Sequence, residues 1–292
     1  MAERSNANII IALAISLAVG AVISWAGSDG GSRAGSWPVF AICGALAFAV
    51  NWAVFMPSAL AQTEHYYDLT GGITYITVTA VAVYLSDTLD LRATLVAAMV
   101  MVWAVRLASF LFLRISKSGK DGRFDDIKTR PLRFLLAWTL QGLWVLVTAG
   151  AALAIITGGV REPLGAVGIA GIVIWAIGML IEIIADRQKS AFKADPDNDG
   201  KFIDVGLWSW SRHPNYFGEI VLWTGMAIVA LPVLQGWQWV TLISPVFVAF
   251  LLIKVSGIPL LEEKADERWG GQEAYENYKR ETPVLVPKPR SL

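Results

Sequence analysis

The chain has 292 residues, of which 55% are hydrophobic, 16% charged and 13 tryptophan, and its 24 Lys+Arg are balanced by 24 Asp+Glu. Soluble cores are not this apolar throughout, so a mean hydropathy of +0.53 excludes an ordinary soluble domain and describes a multi-span membrane protein. Zero net charge without a long basic or acidic tail removes the electrostatic case for a nucleic-acid partner. The single Cys43 lies in an apolar run, with no second cysteine for a disulfide or a metal site.

In chain order, apolar runs long enough to span a bilayer fall near 8–26, 38–60, 70–86, 92–113, 132–157, 163–185, 216–233 and 238–260. They predict an all-α polytopic bundle of seven to eight spans, the short 70–86 run deciding between the two counts. The first run reads as a retained helix and not as a cleaved leader, because it can span and a second apolar run follows closely. Gly27 to Gly35, Gly158-Gly159 before Pro163, and Pro232 with Gly236 supply the breaks between runs. One integral membrane domain is expected over 1–292, with generic spans in 1–60, a core in 61–260 and a charged amphipathic cap in 261–292.

Segments 114–133, 186–215 and 261–292 hold 18 of the 24 Lys+Arg, and an up-down topology places all three on one face. The positive-inside rule makes that face cytoplasmic. Topology alone selects lysine and arginine there, so the basic face by itself does not distinguish a ligand site from a solvated surface.

Four constellations could carry chemistry. Glu182 and Asp186 are one helical turn apart on one face, followed by Arg187, Lys189 and Lys193. Carboxylates at that depth need a partner, either an arginine such as Arg106 in the 92–113 span or a ligand's hydroxyl or amide. The octapeptide Arg212-His213-Pro214-Asn215-Tyr216-Phe217-Gly218-Glu219, with Gly206-Leu207-Trp208 before it, sets a cation, an imidazole, an amide and a carboxylate at a predicted membrane boundary. Pro214 suits the first position of a new helix, Asn215 offers donors and an acceptor to a base or amide, and His213 between Arg212 and Asn215 reads as a phosphate or ribose contact. Asp195-Pro196-Asp197-Asn198-Asp199-Gly200 starts like a calcium loop, but Gly206 stands where the loop's glutamate is needed, so it reads as a turn. Finally, Gln62, Glu64, His65, Tyr66, Tyr67 and Asp68 lead into Gly71-Gly72; they suit either general-acid work on a lipid-like carbonyl or an interfacial aromatic belt. No dinucleotide-fold fingerprint, phosphate-binding loop, zinc-protease or hydrolase motif occurs, and no metal site is expected.

The runs Glu182-Ile-Ile-Ala-Asp186-Arg-Gln-Lys, Phe192-Lys193, Gly206-Leu207-Trp208 and Arg212 to Glu219, with Trp103-Ala-Val-Arg106-Leu and Lys120-Asp121-Gly122-Arg123-Phe124-Asp125, resemble bacterial members of the steroid 5-alpha-reductase family over roughly 60–290. That resemblance implies a membrane reductase that passes hydride from NADPH to the C4–C5 double bond of a 3-oxo-4-ene steroid or similar enone lipid. It further implies a bacterial inner-membrane location, a cofactor site facing the cytoplasm, and an apolar substrate entering from the lipid. By position, Glu182, Asp186, Lys193, Asn215, Glu219 and Tyr278 would contact the cofactor, with Arg106, Arg123, Arg212 and Arg268 as phosphate partners. Arg187, Trp208, His213 and Tyr216 complete the implied cofactor set. The family's Gln-Glu pair that holds the substrate carbonyl has Tyr67-Asp68 as its nearest match, with Gln62 and Glu64 close by, and Trp103 stands where the family has a tyrosine. Asp68, Glu64 and Tyr67 are therefore the expected catalytic residues.

Membrane methyltransferases of the isoprenylcysteine and phospholipid type share an Arg-His-Pro-x-Tyr-x-Gly motif and a charged C-terminal helix. S-adenosylmethionine is thus the alternative cofactor, distinguished by a sulfonium and the lack of phosphate. A transporter would instead carry polar or broken helices near the bilayer midplane, whereas the polar groups here gather toward one face.

Overall fold

No water reaches the bilayer core to satisfy backbone polar groups, so apolar runs of spanning length must close their hydrogen bonds internally as helices. The computed structural model bears this out over residues 2–118 and 122–289, the residues whose structure is described; their side chains are described except for 2–5, 114–118 and 123. Lys120 and Asp121, and the side chain of the expected phosphate ligand Arg123, lie outside the described residues.

Eleven helices account for almost all regular structure among the described residues: α1 (Ala2–Gly27), α2 (Val39–Leu60), α3 (Tyr67–Leu85), α4 (Leu91–Ser118), α5 (Pro131–Thr148), α6 (Gly150–Thr157), α7 (Ala166–Ala194), α8 (Pro214–Ala230), α9 (Ser244–Phe250), α10 (Ile258–Trp269) and α11 (Glu273–Glu281). One two-stranded hairpin, β1 (Arg33–Ala34) with β2 (Trp37–Pro38), joins α1 to α2. Seven helical stretches among the described residues are long and apolar enough to cross a membrane, and the protein is an integral membrane protein.

The 70–86 run, expected to decide the count, is α3 and is long and apolar enough to span, whereas the 216–233 run, also expected as a span, is α8, which has 17 residues. At about 1.5 Å per residue it reaches only about 26 Å, a little less than the roughly 30 Å hydrocarbon layer. Two expected spans are also interrupted. The 132–157 run divides at Ala149 into α5 and α6, beside the Ser244 hydroxyl, which donates to the Thr148 carbonyl at 2.6 Å. The 238–260 run is a 3-10 stretch over Gly236–Ile243, then α9, then a π-turn over Leu251–Val255. Pro245, lacking an N–H, fits the first turn of α9 and no later position.

The backbone forms two units, one of Met1–Gly168 with Ala230–Ser244, the other of Ile169–Val229 with Pro245–Leu292. In the first, α2 packs against α3 and α5 through apolar faces and a few buried hydrogen bonds. Asn51 Nδ2 donates to Thr74 Oγ1 at 3.2 Å, Trp52 Nε1 to Thr139 Oγ1 at 3.0 Å, and Gln141 Nε2 to the Tyr67 carbonyl at 2.9 Å. Such bonds substitute for the hydrophobic driving force that lipid-soluble helices lack.

In the second unit, glycines let α7 and α8 touch backbone to backbone. A β-carbon built at Gly178 would lie 2.6 Å from the Gly218 carbonyl oxygen, and one at Gly218 would lie 2.7 Å from the Glu182 amide nitrogen. Gly171 and Gly225 repeat the contact two turns away, with 2.8 Å from the built Gly171 β-carbon to the Gly225 carbonyl oxygen. As the residue number rises along α7 it falls along the facing positions of α8, so the two helices run antiparallel.

Alanine ordinarily gains about 1 kcal/mol over glycine in a helix, but overpacking a close contact costs about 1–3 kcal/mol. Gly178→Ala should therefore lower the melting temperature in detergent. Gly165→Ala, whose added carbon meets nothing within 4 Å, should leave it unchanged or slightly raised, and equal melting of the two variants would contradict the close contact.

Candidate functional site

The antiparallel register of α7 and α8 decides which side chains meet. Glu182 on α7 lies opposite Gly218, one turn further Asp186 faces Asn215, and Asn215 Nδ2 donates to Asp186 Oδ1 at 3.3 Å. Glu182, Asp186 and Glu219 are only 2%, 5% and 9% exposed. Three carboxylates are thus withdrawn from water at the junction where α7 nears its C-terminal third and α8 begins.

The chain before α8 supplies the cationic and aromatic part. Trp208 is buried and its indole N–H donates to the Ala185 carbonyl at 3.0 Å, while Lys189 Nζ stands 4.3 Å above its ring. His213 is 4% exposed and stacks on Tyr216 with ring centroids 5.7 Å apart and planes 10° from parallel. Its Nε2 is 2.8 Å from Glu262 Oε1. Arg212 Nη1 is 2.7 Å from the other oxygen of the same carboxylate, an ion pair by distance without the alignment of a hydrogen bond. Arg212 Nε and Nη1 remain buried donors with no hydrogen-bond partner. Burial pushes the His213 imidazole below its ordinary pKa, against the pull of Glu262 and with Lys189 and Arg212 reinforcing the decrease.

The C-terminal segment ties this group down. Tyr278 of α11 donates its hydroxyl to the Trp208 carbonyl at 2.7 Å. Beyond α11 the chain runs alongside 210–212: the Arg212 amide donates to Pro283, the Ser211 hydroxyl to Leu285 and the Lys288 amide to Trp210, at 2.9, 2.7 and 2.9 Å. Tyr275 and Tyr278 are buried on one side of α11 while Glu273, Glu276 and Arg280 face outward, which is the amphipathic cap expected for 261–292.

Of the residues singled out from sequence, Glu182, Asp186, Trp208, Arg212, His213, Asn215, Tyr216, Glu219 and Tyr278 thus belong to this part of the second unit. Arg187 is exposed, since one residue beyond Asp186 turns the side chain about 100° around the helix. Lys193 is exposed near the end of α7, and Arg268 is exposed with its guanidinium 5.0 Å over the Trp269 ring. The Asp195–Gly200 segment is a turn, as expected, capped by Asp195 accepting from the Asp197 amide at 3.0 Å.

Within the first unit, Glu64 is 5% exposed and accepts from Lys128 Nζ at 2.8 Å. That bond raises the Lys128 pKa above its ordinary value. The Tyr67 hydroxyl donates to the Ala137 carbonyl at 3.0 Å, and its ring packs against Phe124 and Trp138. Asp68 is half-buried in the first turn of α3. Arg106, on α4, lies with its guanidinium 5.5 Å over the Phe110 ring. Trp103 meets Tyr75 edge-on at 4.9 Å.

Sequence inspection missed Glu262 and Lys128. Each belonged to a charged segment already noted, but Glu262 is 49 residues from His213, and no local spacing announces a pair that distant.

Known proteins share parts of this chain. It is 28% identical over 119 residues to the steroid 5-alpha-reductase DET2 of Gossypium hirsutum, 41% of each chain. Over 99 residues it is 33% identical to a probable O-methyltransferase, ustE, of Ustilaginoidea virens, 34% of each chain. Over 117 residues it is 29% identical to the 3-oxo-5-alpha-steroid 4-dehydrogenase 1 of Rattus norvegicus, 40% of each chain. The chain thus spans only about two fifths of the length of the curated relatives it matches. No solved structure matches it. A family model described as protein of unknown function (DUF1295) matches residues 54–282, most of the chain, and the protein belongs to that family.

Proposed function

We propose that the protein is a membrane reductase that uses NADPH to saturate the C4–C5 double bond of a 3-oxo-4-ene steroid or a similar enone lipid, with the cofactor taken from the cytoplasm. The observation that carries this proposal is the buried Nε of Arg212, which has no hydrogen-bond partner while Nη1 is ion-paired with Glu262, three residues before the Asn215 that bonds Asp186. A buried guanidinium donor without an acceptor is unfavourable, and a phosphate oxygen is the acceptor for which the guanidinium fork is shaped. The residues present therefore fit a dinucleotide phosphate. Similarity to two proteins named as steroid reductases supports the same conclusion.

Arg212, with Lys189 behind Trp208, would hold the phosphates; Asn215, fixed by Asp186, would donate to and accept from an amide or base; buried Glu182 and Glu219 would accept from hydroxyls or amines. When bound, NADPH supplies the hydride that reaches the β-carbon of the enone. Asp68 is the acid we propose to polarise the substrate carbonyl. The role follows from position: Tyr67-Asp68 is the nearest counterpart in this chain to the Gln-Glu pair that holds the substrate carbonyl in the steroid reductases. The apolar substrate would arrive through the lipid phase.

A second possibility has one observation in its favour. Glu262 sits against Arg212 and His213 and offsets the positive charge of Arg212, and a group with four carboxylates also suits a sulfonium such as S-adenosylmethionine. The match to a probable O-methyltransferase points the same way.

Thermal melting of the detergent-purified protein separates these, since a ligand at about 100 times its Kd stabilises the folded state by about 2.7 kcal/mol. NADPH should raise the melting temperature and S-adenosylmethionine should not; the reverse would make this a methyltransferase. Asn215→Ala should abolish the NADPH shift, and an undiminished shift would remove Asn215 from the site. Asp68→Asn should retain the NADPH shift and lose at least about 100-fold in enone reduction, the scale of a missing general acid; full turnover in that variant would clear Asp68 of the role.

A further inference from the structure

His213 is the one titratable group of the site whose two ring nitrogens have sharply different surroundings. Nε2 is 2.8 Å from Glu262 Oε1, whereas Nδ1 is buried with no hydrogen-bond partner. An ionised carboxylate only accepts hydrogen bonds, so a neutral ring must carry its proton on Nε2 and expose a bare lone pair at Nδ1. The groups facing the ring are Glu262 from α10, Arg212 beside it and Lys189 from α7. Burial and the two cations oppose a second proton, and only Glu262 favours one. The Tyr216 ring, stacked at 10°, and the Ser211 hydroxyl, accepting from the His213 amide at 3.1 Å, leave the imidazole little freedom to turn. A buried acceptor left without a donor is rarely tolerated unless something else supplies the donor at times.

We infer that Glu262 is a positioning residue: it holds His213 in the Nε2–H tautomer, so that Nδ1 accepts a hydrogen bond from a hydroxyl, amide or amine of the bound ligand. Only the identity of that ligand rests on the function proposed above; the tautomer does not. No proton transfer is involved, because the ring stays neutral and its lone pair is used as it stands. The same carboxylate reaches Arg212 with its second oxygen, so one residue sets both the charge balance and the ring orientation at the start of α8.

The chain has two histidines, which makes the test spectroscopic. His65 packs against the rings of Tyr66 and Phe112, so H65F keeps an aromatic there and leaves His213 as the only labelled ring in 15N-histidine protein in lipid bilayers. At pH 7 without ligand, Nε2 should give a protonated-type shift and Nδ1 a bare, pyridine-type shift. Glu262→Ala should collapse this into exchanging tautomers. A proton on Nδ1, a doubly protonated ring, or an unchanged spectrum in the Glu262 variant would each overturn the assignment. Should that variant fail to fold, the unsubstituted Glu262 protein alone decides the tautomer. Saturating NADPH, or S-adenosylmethionine if that is the ligand that raises the melting temperature, should move the Nδ1 signal toward the hydrogen-bonded range. A stabilising ligand that leaves Nδ1 unmoved would end its role as acceptor without touching the proposed function. Absence of stabilisation by NADPH would count against the reductase while the ligand-free spectrum still decides the role of Glu262.

Discussion

Everything proposed for this protein depends on how closely α7 and α8 approach. Without side chains at Gly178 and Gly218 the two backbones touch, and their antiparallel register then puts Asp186 across from Asn215. Two residues 29 positions apart become hydrogen-bonded because neither helix presents anything bulkier between them. Such packing is a general solution in lipid, where apolar helices gain nothing by leaving one apolar surroundings for another and associate instead through close van der Waals contact. The same closeness fixes the site geometry, since a helix pair in backbone contact cannot slide without a steric collision.

Buried charge is the second constraint. Glu182, Asp186 and Glu219 are nearly inaccessible, and an ionised carboxylate at such depth is costly unless neighbours supply donors or opposite charge. One such donor is the side-chain amide of Asn215, which bonds Asp186. The C-terminal segment completes the arrangement by hydrogen-bonding to residues 208–212 and bringing Glu262 to Arg212 and His213. The 261–292 region is therefore a structural member of the site and not merely a solvated tail.

Much of this was legible in the sequence. Hydropathy located every helix of spanning length because a bilayer leaves apolar runs no alternative to helix. The density of polar residues from Arg212 to Glu219 marked the loop that the structure wraps with Tyr278 and Pro283. The interruption of the 132–157 run at Ala149 was not visible, because the sequence stays apolar through that point. Hydropathy counted the 216–233 run as a span and left 70–86 in doubt, whereas α3 is long enough to cross and α8, with 17 residues, lies at the margin where one turn matters. Glu262 was hidden for a related reason: it stood among several charged residues of α10, and which of them faces His213 depends on the fold. Arg187 illustrates the converse, a cation adjacent to Asp186 in sequence that the helix directs to the outside.

Hydrogen exchange on the protein in lipid nanodiscs, with and without NADPH, tests the central claim most directly, because a ligand held at the junction of α7 and α8 must slow amide exchange in the segments that form it. The account predicts added protection concentrated in 182–193 and 206–219, with a smaller effect at 275–288 where the C-terminal segment covers the loop. Binding of NADPH that leaves those segments unprotected, or that protects only residues outside the second unit, would contradict it.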